Sequence, residues 1–378
     1  MNRSRRQFLS RVVNGALCGV TFQRPALSRQ RSQPPNASSE SVVESARYLG
    51  SQFLNNLLGV TGMDGATSIV LPGDRSLWVF GDTVEEPFES IHGLDLSRLR
   101  SNTATIVPRQ DVSAGIHRFK LLTAPGGKQP RQIVPFTANE DPSVHRVWAI
   151  HGICVGQRVY LFYHRITLLK GVDVFANFQL DGMGIAHADV RDLRFTRLEA
   201  PDGSLEFWKG DQPSFGVFVQ QDADFVYLWG CLQTGMHLAR TRPDRIDHLA
   251  SYEYLVESPD ARNRHVIPRW AKEFAPTAKL FDAVPNEMSA SVNAHLGRHV
   301  AFHAYHREHK IVMRTAPQIT GPWSDGQIVF RPERIGAGDL IYAAKEHPEL
   351  SRDGGRILYL TFVNSASYVP QLVELTLK

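Results

Sequence analysis

Two carboxylates, Asp64 and Asp82, bracket a stretch that reads DGATSIVLPGDRSLWVFGD. An apolar arm, a Pro-Gly-Asp turn and an aromatic arm lie between them, which is the pattern of a β-hairpin with an acid at each side of its open end. A turn at Pro72–Arg75 sets Asp82 opposite Gly65 or Ala66 and makes Asp64 its diagonal neighbour, about 7–8 Å away at Cα. Carboxyls at this kind of separation perform glycoside hydrolysis. One protonates the leaving oxygen and the other activates water or attacks the sugar; about 5–5.5 Å between them suits retention and about 6.5–9.5 Å inversion. Two acids this close also drive their pKa values apart, leaving one protonated and one ionised near neutrality. A structural reading stands beside the catalytic one: an Asp in a Gly-Asp-Thr segment closes turns by accepting backbone N–H groups.

The elements that must position these acids recur along the chain. The hairpin form returns at 149–166, 214–232, 289–306 and 345–364. A short strand with small residues at alternate positions follows at 183–190, 236–243 and 311–318, with 102–109 as the version belonging to the first unit, and GQIVFRPE at 326–333 reads as a fourth strand. Five such units predict an all-β fold, a five-bladed β-propeller with four-stranded antiparallel blades. A β-sandwich accounts for short strands but not for the repeated order within each unit. Segment 39–58 has apolar residues at helical spacing behind a candidate cap, Ser39, and predicts a short N-terminal helix; 242–255 predicts a helical insert.

In a propeller the first strand of each blade lines a central channel. The equivalent starts of later blades carry Trp148 and His151, then Asp211, then Glu287, then Glu346 and His347. A funnel of acids, imidazoles and an indole suits a sugar, whose C–H face stacks on aromatic rings and whose hydroxyls bond polar groups. Asn102, Trp148, His151, Asp211, Glu287 and His347 are therefore the candidate substrate-binding residues. His303, His306 and His309 cluster in sequence, but odd spacing along a strand sends His303 and His306 to opposite faces. No metal ligand set and no cofactor is assigned, although a structural cation in the channel stays open. There is no nucleophile elbow, phosphate loop or dinucleotide fingerprint, and GMGIAH at 182–187 falls on a strand.

The 378 residues carry a net charge of +4, and seven arginines precede the first acid, Glu40. Without that leader the body is nearly neutral, which gives no footing for nucleic-acid binding. Ser4-Arg5-Arg6-Gln7-Phe8-Leu9 and the apolar Val12–Val20 stretch match a twin-arginine export signal. Residues 1–39 are expected to be that signal and its leader, read by the twin-arginine machinery, with 40–378 as one catalytic domain delivered to the periplasm or beyond. No apolar run is long enough to span a bilayer. Cys154 and Cys231 fall on different hairpins at different ends, so free thiols are expected rather than a bridge.

Asp64-Gly65 with Trp78-Val79-Phe80-Gly81-Asp82-Thr83 resembles the first blade of bacterial five-bladed propellers long catalogued as a domain of unknown function, some members of which are endo-D-arabinanases. Glu287-Met288-Ser289, Gly321-Pro322-Trp323-Ser324 and Glu346-His347-Pro348-Glu349-Leu350 are similar too, and the resemblance runs from about Gly62 to the C-terminus. It implies a glycoside hydrolase with its acid pair at Asp64 and Asp82, acting on a polysaccharide that includes D-arabinan among its candidates. The loops 167–182 and 256–282 are this chain's own. Two rivals remain: a carbohydrate-binding or scaffold propeller that does not cleave, and an acid and base on different blades, such as Asp64 with Glu287.

Overall fold

A computed structural model describes residues 41–85, 99–169, 178–232, 235–260, 263, 265–274, 277–282, 287–336 and 338–378. Their strands form five antiparallel blades, each read from the channel outward, and a separate two-stranded sheet of Gly62–Met63 with Thr83–Val84. Blade 1 is Thr67–Leu71, Arg75–Phe80, Thr103–Pro108 and Lys120–Leu121; blade 2 is His145–Val155, Arg158–Leu168, Phe178–Asp189 and Thr196–Arg197, with Trp208–Lys209 also paired to its third strand. Blade 3 is Ser214–Gln221, Val226–Leu232, Gly235–Thr241, Glu253–Glu257 and Arg269–Ala271, and blade 4 is Ser289–Asn293, Arg298–Tyr305, Lys310–Ala316 and Gln327–Phe330. Blade 5 takes Ile341–Glu346, Ile357–Asn364 and Pro370–Leu377 from the end of the chain and its outermost strand, Val43–Ser51, from the beginning. The chain is thus a five-bladed β-propeller whose ring is closed by pairing its two ends.

The apolar side chains explain the stacking. Second strands are buried on both faces, as in Leu77, Trp78, Val79 and Phe80, because each blade is covered by its neighbours. The core consequently lies in the seams. Ile69, Leu77 and Val79 of blade 1 meet Val147, Leu161 and Tyr163 of blade 2, while Val300 and Phe302 of blade 4 meet Leu358 and Leu360 of blade 5.

Two expected helices are replaced by other structure. Val43–Ser51 is an edge strand, not a helix, and register shifts near Val43/Ser45 and Tyr48/Gly50 break its two-residue alternation. Those bulges leave Val42, Val43, Ala46 and Leu49 at a spacing that imitates a helix turn. The insert at 242–255 holds only the single 3₁₀ turns Pro243–Arg245 and Leu249–Ser251 before strand Glu253–Glu257 begins. His306 and His309 lie in the turn after Arg298–Tyr305, so the strand argument applies to His303 alone. Cys154 and Cys231 are free thiols. No helix of the described residues is long and apolar enough to cross a membrane. Residues 1–40, which include the expected leader 1–39, lie outside the described residues, as does 170–177 within the loop at 167–182.

The inner strands of blades 2, 3 and 5 depart from regular pairing. The irregularities fall between Ala149 and His151, between Phe215 and Phe218, and between Tyr342 and Lys345. A bulge re-aims the side chain that follows it. Here His151, Phe218 and Lys345 follow, and the His151 and Phe218 rings lie 4.3 Å apart. Farther along the same strands, Glu346 is buried between blades 4 and 5, where Ser291 donates to it at 2.7 Å and its own N–H donates to Ser289 at 2.7 Å. Burial raises the Glu346 carboxyl to about 7.

A carboxyl held at about 7 when folded but near 4.5 when unfolded binds its proton more tightly in the native state. Its contribution is therefore complete below about pH 4.5 and is lost as pH rises through 7, by about 3 kcal/mol. Urea melts from pH 5 to 8 should show Glu346→Gln losing less stability over that interval than the parent protein.

Candidate active site

The hairpin of blade 1 has one register from end to end. Thr67 pairs with Val79 and Leu71 with Arg75, and beyond a gap Met63 pairs with Thr83 and Gly62 with Val84. Carried through the gap, this register sets Asp64 directly opposite Asp82 rather than diagonal to it. The one-residue difference from the sequence expectation comes from the turn, which holds the three residues Pro72, Gly73 and Asp74. Directly opposed residues have Cβ atoms about 4.5–5.5 Å apart. The gap is a local distortion: Gly65 and Ala66 have φ of 81° and 55°, and the Asp64 carbonyl accepts both Ala66 N–H and Gly81 N–H at 3.1 Å. Gly81 is required by contact, since a Cβ there would collide with Asp64 Oδ1.

Asp82 is 4% exposed and almost fully engaged. Arg146, on the inner strand of blade 2 and 1% exposed, donates Nε at 3.0 Å and Nη2 at 2.5 Å to Asp82 Oδ1. Trp148 Nε1 donates at 3.0 Å to Oδ2. Arg146 also donates to the carbonyls of Pro142 and Leu99, which fixes its guanidinium. Burial raises the Asp82 carboxyl, while Arg146 and Trp148 oppose that rise by bonding the charged form. The net shift of Asp82 is upward, and the Arg146 charge, which guanidinium does not lose, is the main influence favouring its ionised form.

Asp64 has the opposite surroundings. Tyr342 donates to its Oδ2 at 3.2 Å. The Tyr368 hydroxyl donates to the Asp82 carbonyl at 3.1 Å and is also hydrogen-bonded to the Asp64 carboxyl. Burial pushes Asp64 well above the usual carboxylate range, and the negative charges of Asp82 and then Glu287 push it further, against Tyr342 and Lys345. Both carboxyls are raised by burial, Asp64 the further of the two, while Arg146 and Trp148 hold Asp82 back toward its charged form.

The other expected site residues divide. Trp148 joins the pair through Asp82 and packs edge-on against Phe178 at 5.1 Å. Glu287 stands at the same rim, bound by Lys345 Nζ at 2.7 Å. His151 lies deeper, buried, with Nδ1 lacking a partner among the described residues, and burial lowers it to about 3. His347 is fully buried, stacks on Trp78 at 4.1 Å and bonds Ser68 and Thr361 at 2.8 Å each. Asn102 donates to the carbonyls of Val134 and Val147 and accepts the Val134 N–H, so its amide braces blades 1 and 2 instead of facing the bowl. Asp211 is exposed in the turn before blade 3. Glu346 and His347 were expected at the rim; they end the inner strand Ile341–Glu346, which starts four residues earlier than the hairpin pattern indicated, so Tyr342 takes the rim position. Arg146, Tyr342, Lys345 and Tyr368 escaped the sequence reading. Arg146, three residues ahead of the hairpin as read from sequence, was the one with a visible signal.

A family model described as "Domain of unknown function (DUF4185)" matches residues 55–373. Among solved structures, a Bacteroides ovatus protein named as a candidate hydrolase is similar with a TM-score of 0.57 and 16% identity, covering 84% of this chain and 86% of that one. The RS223 β-xylosidase aligns at 0.50 and 13% identity, over 89% and 95%. A GH43_1 enzyme from Xanthomonas citri, solved with xylotriose, aligns at 0.50 and 13% identity, over 86% and 89%. No curated protein matches the chain in sequence. The chain has the propeller fold that these glycoside hydrolases share.

Removing Arg146 leaves Asp82 as a buried charge without its partner. Arg146→Met should cost about 3–5 kcal/mol in urea unfolding at pH 7. Arg146→Met combined with Asp82→Asn should recover most of that loss, and a double variant as unstable as the single would show that the two side chains are not paired.

Proposed function

This chain belongs to the DUF4185 family, and from the geometry of its bowl we propose that it is a glycoside hydrolase acting on a polysaccharide. The observation that carries the reading is the pair of carboxyls at the open end of one hairpin, Asp64 pushed well above the usual carboxylate range and Asp82 held back toward its charged form by Arg146 and Trp148. Asp64 is the general acid that protonates the leaving glycosidic oxygen. Asp82, kept ionised by Arg146 and aimed by Trp148, is the base that draws a proton from water or the carboxylate that meets the anomeric carbon. Trp148, Phe178 and Tyr342 offer ring faces and a hydroxyl to the sugar, and Glu287 accepts its hydroxyls.

The resemblance noted in the sequence gives the substrate its narrower form, a D-arabinan, and the Xanthomonas citri enzyme shows a pentose oligosaccharide bound by a protein of this fold. A polymer substrate also accords with the twin-arginine pattern: the enzyme acts in the periplasm or outside the cell after passing through that machinery. The near-complete enclosure of Asp82 favours one rival, a propeller that binds glycan without cleaving it.

A polysaccharide panel that includes D-arabinan decides between them. Release of reducing ends, lowered about 10²–10⁴-fold by Asp64→Asn with its melting temperature preserved, is the expected result. Asp82→Asn should abolish cleavage too, but with a lower melting temperature because it strands Arg146. Glycan retention with no new reducing ends from the parent protein selects the binding reading.

A further inference from the structure

Lys345 is 1% exposed, yet its ammonium is at the rim of the channel. It donates at 2.8 Å to the carbonyl of Gly65, the residue after Asp64, and at 2.7 Å to Glu287 Oε1. The two contacts join three blades: Gly65 precedes the inner strand of blade 1, Glu287 precedes that of blade 4, and Lys345 follows the irregular pairing in blade 5. No regular inner strand would deliver this side chain, because Ala343, at φ 54°, and Ala344 together face one residue of the next strand, and that single extra residue turns Lys345 inward. Glu287 uses one oxygen for this bond, and its side chain is the more open partner.

We propose that Lys345 is the positioning residue of the acid: one buried ammonium holds the Asp64 loop by its Gly65 carbonyl and ties Glu287 beside it, fixing both where Asp64 stands and how much negative charge faces it. This rests on the acid role given to Asp64. The groups facing Lys345 and Asp64 are Asp82 from blade 1, His151 from blade 2, Glu287 from blade 4, and Tyr342, His347 and Tyr368 from blade 5. Asp82 is paired with Arg146 and still raises Asp64, while the histidines are held neutral by burial and by Lys345 itself. Beyond Asp82, Lys345 and Glu287 are the opposed charges that act on Asp64 and can be removed without breaking the Arg146 pair, the first lowering its pKa and the second raising it.

That opposition gives a test that a merely structural lysine would not pass. Without Lys345, Asp64 keeps its proton to higher pH, so the alkaline limb of kcat/KM should move up in Lys345→Met. Without the Glu287 charge the limb should move down in Glu287→Gln. The value of kcat/KM at the optimum should also fall about 10²-fold in Lys345→Met, as misplacement of the acid predicts. The same variants labelled with ¹³C at aspartate Cγ, assigned through Asp64→Asn, report the Asp64 titration directly. Opposite displacements by NMR with no glycan cleaved would uphold the role of Lys345 and overturn the hydrolase. An Asp64 titration that stays put, or moves the same way in both variants, overturns the proposal. If Lys345→Met does not fold, the double variant Lys345→Met/Glu287→Gln removes both charges. Activity equal to that of Glu287→Gln alone would then overturn positioning through Gly65, and activity well below it would uphold it.

Discussion

Arg146 bears a charge that it cannot lose, in a place almost closed to solvent, and Asp82 is the anion that makes this tolerable. Two buried ions of this kind are costly to desolvate, and a pair of well-packed apolar side chains would stabilise the seam between blades 1 and 2 at least as well. The pair therefore makes more sense as a device than as glue. It plants a permanent negative charge on one strand of a hairpin, directly opposite a second carboxyl. Everything unusual about Asp64 follows: its own burial and that fixed charge both disfavour ionisation. The asymmetry needed for acid and base roles comes from three donors placed on one carboxyl and two tyrosine hydroxyls placed on the other.

The propeller supplies the geometry. Its blades are covered on both faces by their neighbours, and the carboxyl pair stands where inner strands converge. Irregular pairing in those strands turns His151, Phe218 and Lys345 inward, and a distorted Gly65-Ala66 corner turns Asp64 toward Asp82. The site is assembled from the rims of blades 1, 2, 4 and 5, which makes its integrity depend on ring closure. That closure is done by Val43–Ser51, a strand donated from the far end of the sequence.

Much of this was legible in the chain and some was not, for reasons that can be located. Period-two patterning gave the five hairpins and their third strands, because aromatic and β-branched residues mark the buried second strands whatever the register. It misread Val43–Ser51 because two bulges shift the apolar residues into helical spacing. The two aspartates were visible as the ends of one hairpin, but their mutual register depended on the turn closing on the pair Leu71 and Arg75, one residue away from the register supposed. Asn102 and His347 have the chemistry of ligand contacts, yet one braces backbone and the other stacks on Trp78. Whether a polar side chain faces the bowl or a seam is set by partners distant in sequence. Tyr342 was missed because its strand starts earlier than the pattern indicated, and Lys345 because one extra residue in that strand reverses the side that counting predicts. Arg146 was missed because its partner, Asp82, is on another blade.

The central claim is that the facing carboxyls of blade 1 share a single proton that belongs to Asp64. Neutron diffraction from deuterated crystals at pH 7 reads this directly. The account predicts a deuteron on an Asp64 oxygen and none on Asp82, whose oxygens accept from Arg146 and Trp148. Deuterium on Asp82, or bare oxygens on both residues, would contradict it.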